Sequence, residues 1–165
     1  MVTSYNVVSE DGYIADKNWD ESFIPDSTWP QFIKLINESD AVVLGRKSYD
    51  SMYREYSQQI IDEFEQTRTK KIILSQDPSF EPKAGYRKAS SLEETLAQGS
   101  KILMSGGPSL NAAFLDAGLI DRFVRLIIPV NLGEGIRPFP KDPQLTVVSS
   151  QRLKDGTILE EYALN

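Results

Sequence analysis

Apolar and polar positions along this chain follow two alternating rhythms. Three short runs are apolar without interruption: Ala41-Val42-Val43-Leu44, Ile72-Ile73-Leu74 after Lys71, and Ile102-Leu103-Met104. Such runs, bounded by polar turns, predict strands buried on both faces. Val2 to Val8 is a β-rich opening strand, and Phe123 to Val130 predicts a later one that ends at Pro129. Between them the apolar positions recur at helical spacing. Trp29, Phe32, Ile33 and Ile36 form a stripe, with Ser27 as cap and Pro30 in the first turn. Ile60, Ile61 and Phe64 share a face over Gln58–Gln66, and Leu110, Ala113, Phe114 and Ala117 share another. Ser91-Leu92-Glu93-Glu94 is a capping box that opens a short helix to Gln98. Residues 9–15 predict a turn with a short return, residues 16–26 a polar loop, and Gly133-Glu134-Gly135 a flexible turn. Leu145–Ser149 and Thr157–Leu164 predict a hairpin turning at Asp155-Gly156. Strands alternating with helices, closed by a hairpin, predict one α/β domain over residues 1–165 with a mixed sheet.

Composition narrows the chemistry. A chain of 165 residues buries about 70% of its unfolded surface, enough for a core and one cleft. The formal net charge of −6 argues against nucleic acid and anionic membranes as partners, since both favour a basic face. Histidine and cysteine are both absent. That excludes disulfides, thiolate nucleophiles, Ser-His-Asp triads and the usual zinc sites. No Asp-rich loop has calcium-site spacing, so no metal is expected. No leader and no apolar run of membrane-spanning length stands out, and a cytoplasmic protein is expected.

The three buried runs each end in a polar turn of small residues: Gly45-Arg46-Lys47-Ser48, Ser75-Gln76 and Ser105-Gly106-Gly107. In an open α/β sheet, ligands bind beyond the carboxyl ends of the strands. If the three are parallel neighbours, their turns line one crevice suited to a ligand with several phosphates. Gly106-Gly107 before Pro108 reads two ways: a phosphate cradle at a helix N-terminus, or a tight turn needing positive φ. Arg46 and Lys47 read as a solvated pair, or as cations held by an anion at a helix start. Neither a Walker A loop nor GxGxxG is present.

AVVLGRKSYDSM, KIILSQDP and ILMSGGPSL, in this order and spacing, resemble the cofactor motifs of the dihydrofolate-reductase fold. SEDGYIA and LIDRFVRLIIPVNLGEGIRPF are similar to the C-terminal reductase domain of riboflavin biosynthesis and its stand-alone relatives. The resemblance runs from about Val2 to Phe139. It implies a dihydrofolate-reductase-like fold: a mixed, mostly parallel sheet flanked by helices. It also implies an NADPH-dependent oxidoreductase and a homodimer. Gly45, Arg46, Lys47 and Ser48 match the segment at the cofactor phosphates, and Ser75 and Gln76 the adenosine 2′-phosphate turn. Gly106, Gly107, Ser109 and Leu110 match the pyrophosphate and nicotinamide loop, while Ile14 and Ala15 lie near the nicotinamide.

The chain departs from both branches where substrate is handled. The place where dihydrofolate reductases keep a carboxylate falls near Trp29, and Asp26 is the nearest acid. After Asp11-Gly12, where riboflavin-pathway reductases carry a base, stands Tyr13. Asp11, in the family's SxDG motif, and Asp26 are the catalytic candidates. Asp-Gly is also a turn dipeptide, and Asp26 also suits a helix cap. Trp19, Phe23 and Trp29 either wall a flat substrate or belong to the core. The expected activity is hydride transfer to a flat heterocycle or other small C=N or C=O compound of pteridine, dihydrofolate or aminopyrimidine type. The alternative is a non-catalytic NADPH-binding or nucleotide-binding module on the same fold. The apolar strand from Phe123 and the edges of a terminal hairpin support a homodimer, since both need cover.

Overall fold

The computed structural model describes residues 1–165. Its strands are β1 Val2–Ser9, β2 Ala41–Gly45, β3 Lys70–Leu74, β4 Tyr86–Ala89, β5 Ile102–Met104, β6 Arg122–Ile128, β7 Leu145–Arg152 and β8 Ile158–Leu164. Its helices are α1 Trp29–Asn37, α2 Arg46–Glu55, α3 Gln58–Gln66, α4 Leu92–Leu96 and α5 Pro108–Asp116. All eight strands join one sheet in the order β4-β3-β2-β5-β1-β6-β8-β7. Pairing from β4 through β6 is parallel, while β8 pairs antiparallel with both β6 and β7. The fold is thus α/β and dihydrofolate-reductase-like, with the expected C-terminal hairpin.

The period of two along each strand divides the core between the sheet's faces. On β2, Val42 and Leu44 enter one cluster with Tyr49, Met52, Ile61 and Phe64, beneath α1, α2 and α3. Ala41 and Val43 enter the other with Leu110 and Phe114, beneath α5. β1 is buried nearly throughout because β5 and β6 flank it.

Several local expectations are corrected. Ser27 does not cap α1, because a 3₁₀ turn over Asp26–Thr28 runs straight into the helix. Its hydroxyl donates instead to Asp155, 3.0 Å away. β6 stops at Ile128, since the Val130 N–H turns back to the Ile128 carbonyl and the Val130 carbonyl accepts from Glu10. The capping box is half formed. Ser91 accepts from the Glu94 N–H, but the Glu94 carboxylate takes the Ser90 N–H and hydroxyl. The buried positions of α5 are Leu110, Asn111 and Phe114, whereas Ala117 is exposed.

Candidate functional site

The sheet order makes β3, β2 and β5 parallel neighbours, with Val43 paired to Ile72 on one side and Met104 on the other. Their carboxyl ends therefore open side by side, and Gly45, Ser75 and Ser105 begin three adjacent turns. The Ser105 N–H donates to the Val43 carbonyl at 3.0 Å, which ties the third turn to the first.

Two helices start at this edge without a side-chain cap: α2 from Gly45 and α5 from Gly107. By contrast, Ser57 caps α3 and Ser91 caps α4 through their hydroxyls. The two uncapped ends adjoin, since a Cβ placed on Gly107 would lie 3.8 Å from Ser48 Oγ. Amides at the positive ends of two helix dipoles, with the Ser48 hydroxyl between them, suit an oxyanion.

Neither Gly106 nor Gly107 has positive φ, so the tight-turn reading is excluded. Gly106 is required by packing. A Cβ there would lie 2.3 Å from Leu110 Cδ2 and 3.1 Å from its Cβ. Leu110 is buried under the turn, and Ser109 is exposed at its rim.

Arg46 is held rather than loose. Its Nε donates to Asp50 at 2.8 Å, Asp77 lies 3.9 Å from Nη1, and the guanidinium stands 3.9 Å over the Phe80 ring. Its side chain remains 40% exposed. Lys47 is exposed and makes no ion pair. Ser75 is buried, with its N–H on the Ala89 carbonyl and its hydroxyl accepting from the Asp77 N–H. Gln76 is exposed beside it.

The loop after β1 is pinned to the loop after β6. Ile14 donates to the Ile136 carbonyl, and Ile136 donates back to Ala15. Gly135 permits this contact, because a Cβ there would lie 2.3 Å from the Ala15 carbonyl oxygen. Ile14 and Ala15 are buried. The Asp11 carboxylate accepts from Ser9 Oγ at 2.6 Å, the Leu132 N–H at 3.2 Å and the Gly133 N–H at 2.7 Å. The Ser9 hydroxyl first, then these amides, hold its carboxyl below the usual aspartate range. Asp11 thus braces two loops.

Asp26 is exposed at the start of the 3₁₀ turn and makes no side-chain hydrogen bond, although it is the residue nearest the expected acid position. Of the three aromatics, Phe23 and Trp29 pack on the α1–α3 core, and Trp29 donates to Glu63. Trp19 alone protrudes, 51% exposed with φ +67, a conformation that costs an aromatic residue strain.

Two residues matter here that sequence reasoning missed. Asn111 is fully buried and donates to Asn6 at 2.9 Å, the Pro138 carbonyl at 2.8 Å and the Gly106 carbonyl at 3.4 Å. It thereby joins β1, the 137–138 segment and the turn at Gly106. No sequence signal marked it, because Asn111 lies one residue off the apolar positions Leu110, Ala113, Phe114 and Ala117. Glu21 accepts from the Tyr56 hydroxyl at 3.2 Å, beside Trp29, whose ring centroid is 6.4 Å from that of Tyr56. Burial raises its carboxyl above the usual range, more than the Tyr56 bond lowers it. No spacing in the sequence marks it.

A cavity of about 460 Å³ lies at the other end of the sheet. Asp40, Lys70 and Gly99 line it at the amino ends of β2, β3 and β5, and no hydrophobic residue does. No group of three or more acidic side chains converges as a cation site would require.

Comparison with known proteins agrees with this architecture. Residues 1–159 match the RibD C-terminal domain. The uncharacterized protein YyaP of Bacillus subtilis (strain 168) is 27% identical over 173 residues, covering 96% of this chain and 92% of that protein. A putative riboflavin biosynthesis protein from Shewanella sp. PV-4 superposes with a TM-score of 0.77 at 21% identity, covering 99% and 98% of the two chains. The dihydrofolate reductase of Enterococcus faecalis complexed with NADP(H) superposes at 0.69 and 18% identity, covering 100% and 96%. The chain therefore belongs to the RibD C-terminal domain family and has its reductase-type fold.

Proposed function

We propose that this chain is an NADPH-dependent reductase of a flat heterocycle or other small C=N or C=O compound. The observation that carries the reading is the pair of uncapped helix N-termini at Gly45 and Gly107, side by side at the carboxyl edge of the sheet. Gly45–Ser48 and Gly106–Leu110 hold the pyrophosphate, while Arg46, Ser75 and Gln76 meet the adenosine 2′-phosphate. Bound dihydronicotinamide supplies the hydride. Ile14 and Ala15 form its apolar wall, and Asp11 fixes that wall by bracing the loops at 9–15 and 131–136. A proton must reach the substrate as well, and this chain contains no histidine. Glu21, kept easier to protonate by burial, is better suited to hold it than the exposed Asp26. The protein acts as a homodimer.

The second reading, a binding module without turnover, is favoured by Trp29 standing where an acid is expected. Fluorescence titration with NADPH and NADH tests the cofactor assignment. Saturable binding with NADPH preferred is expected, and no binding of either at millimolar concentration removes the reading. NADPH consumption is then followed with dihydrofolate, pteridines and aminopyrimidines. Binding without oxidation of the cofactor by any of them selects the module.

A further inference from the structure

Arg46 does not face the crevice alone. β2 and β3 pair in parallel with Gly45 beside Leu74, so the first residue of α2 and the turn after Ser75 emerge from adjacent strand ends. That turn wraps the guanidinium. Arg46 Cζ stands 3.9 Å over its Phe80 ring, and its Asp77 carboxylate lies 3.9 Å from Nη1. Two bonds to the Asp77 carbonyl keep the turn in shape, from the Phe80 N–H at 3.2 Å and from Lys88 Nζ at 2.7 Å.

We propose that Asp77 reads the 2′ position of the adenosine ribose. It accepts a hydrogen bond from a free 2′-hydroxyl and repels a 2′-phosphate, so the crevice takes NADH as well as NADPH. This role rests on the crevice's holding a nicotinamide dinucleotide. The two oxygens of the carboxylate are used differently. Oδ1 accepts from the Ser79 N–H at 2.9 Å and from the Ser79 hydroxyl at 2.7 Å. Oδ2 takes no hydrogen bond, and the side chain is 51% exposed. Oδ2 is thus a fixed acceptor open to a ligand, and a ribose hydroxyl is the donor that a dinucleotide brings to such a carboxylate.

The charges around Arg46 balance. Its Nε donates to Asp50 at 2.8 Å, and Nη1 faces Asp77. Each two-donor edge of the guanidinium therefore has one donor turned to a carboxylate, and a phosphate finds no uncontested pair. Lys88, whose amine sits on the Asp77 carbonyl, is the second cation here. Lys47 lies with Ser48 in the segment assigned to the pyrophosphate. Two cations against two carboxylates leave no net positive charge for a dianion, whereas a neutral hydroxyl needs none. The Ser79 hydroxyl first, then the Ser79 N–H, hold the Asp77 carboxyl below the usual aspartate range, so it is charged at neutral pH.

NADH carries the same dihydronicotinamide as NADPH, so the hydride chemistry is unchanged and only the adenosine end decides between them. Arg46 favours the phosphate, and Asp77 favours the hydroxyl. Their opposition holds the preference for NADPH to about tenfold or less, below what an uncontested arginine would give.

Calorimetric titration of the full chain with NADPH and NADH, and with 2′,5′-ADP and AMP as probes that lack the nicotinamide, tests this. In the wild type the two members of each pair are expected to bind within about tenfold of each other. Asp77→Asn should widen both ratios by about threefold or more, tightening the 2′-phosphorylated ligand and weakening the other. Arg46→Ala leaves Asp77 unopposed and should bring NADH level with NADPH or ahead of it. Asp116→Asn, at an exposed acid on the far end of α5, removes the same charge and should leave the ratios alone. A wild-type ratio above about tenfold, ratios unchanged in Asp77→Asn, or an equal shift in Asp116→Asn would each overturn the role of Asp77 while the crevice keeps its nucleotide. No binding of any of the four ligands removes both. The wild-type ratios remain a test even if a variant folds poorly.

Discussion

Arg46 shows how one residue can serve both fold and ligand. Asp50 and the Phe80 ring fix its guanidinium at the start of α2, yet the side chain is 40% exposed. A 2′-phosphate must compete with Asp50 for it. A hydrogen bond to a charged group contributes about 1.5–3 kcal/mol, and that competition favours the low end. Arg46→Ala is thus expected to weaken NADPH roughly tenfold and NADH much less, while Asp50→Asn tightens NADPH. Equal NADPH affinity in wild type and Arg46→Ala would show that the arginine serves only α2. Asp11 acts through geometry instead. The amide of Asp11→Asn turns an N–H toward a loop amide that now finds an oxygen, so slower turnover and faster hydrogen exchange at 131–136 are expected. Its carboxyl lies below the ordinary value of 3.8. The brace is therefore complete above that pH and is lost as pH falls through the lowered value. Glu21 is shifted the other way. If its protonated form delivers the proton, kcat declines as pH rises through its raised value. Glu21→Gln should lower kcat and remove that limb, and Asp26→Asn should leave it in place.

At the scale of elements, α5 and the turn before it behave as one piece. Gly106 is present because Leu110 closes over it, so Gly106→Ala forces the start of α5 outward. Overpacking of this kind typically costs about 1–3 kcal/mol. Denaturant unfolding should show that loss for Gly106→Ala, and a second change, Leu110→Ala, should recover less than its own cavity would take away. Strict additivity of the two would mean that they do not touch. Pattern alone served unevenly here. The buried runs of β2, β3 and β5 and the stripe of α3 were legible, because burial on two faces or one stripe leaves an apolar signature. α2 was noticed only as a helix start, since RKSYDSMYRE buries just Tyr49 and Met52. β4 was missed because YRKA is a four-residue edge strand with two polar residues in the middle and only Tyr86 and Ala89 inside.

For the whole molecule, the sheet's order determines which surface is left unpaired. β6, the apolar strand that suggested a dimer, is covered by β1 and β8. The sheet's two edges are β4 and β7, and on β7 Val147 and Val148 are 48% and 60% exposed and the ladder is irregular between Val147 and Ser149. An edge with exposed valines is a surface that a second copy can cover. Light scattering is expected to give about twice the chain mass of 18.6 kDa, and Val148→Lys should shift it toward the monomer. A monomer at micromolar concentration for the wild type would remove the dimer.

Local patterning by itself determined that this is an α/β chain, that three apolar strands end in polar turns, and that those turns carry residues fit for phosphates. It could do so because secondary structure and burial write a period into neighbouring residues. Only the tertiary structure decided that the turns adjoin, that Gly106 serves packing and not positive φ, and that Asp11 braces a loop more than 120 residues away. The same holds for Asn111 reaching Asn6 and Pro138, and for Glu21 reaching Tyr56. These contacts join residues far apart in sequence, and a polar side chain's role depends on which atoms the fold brings to it.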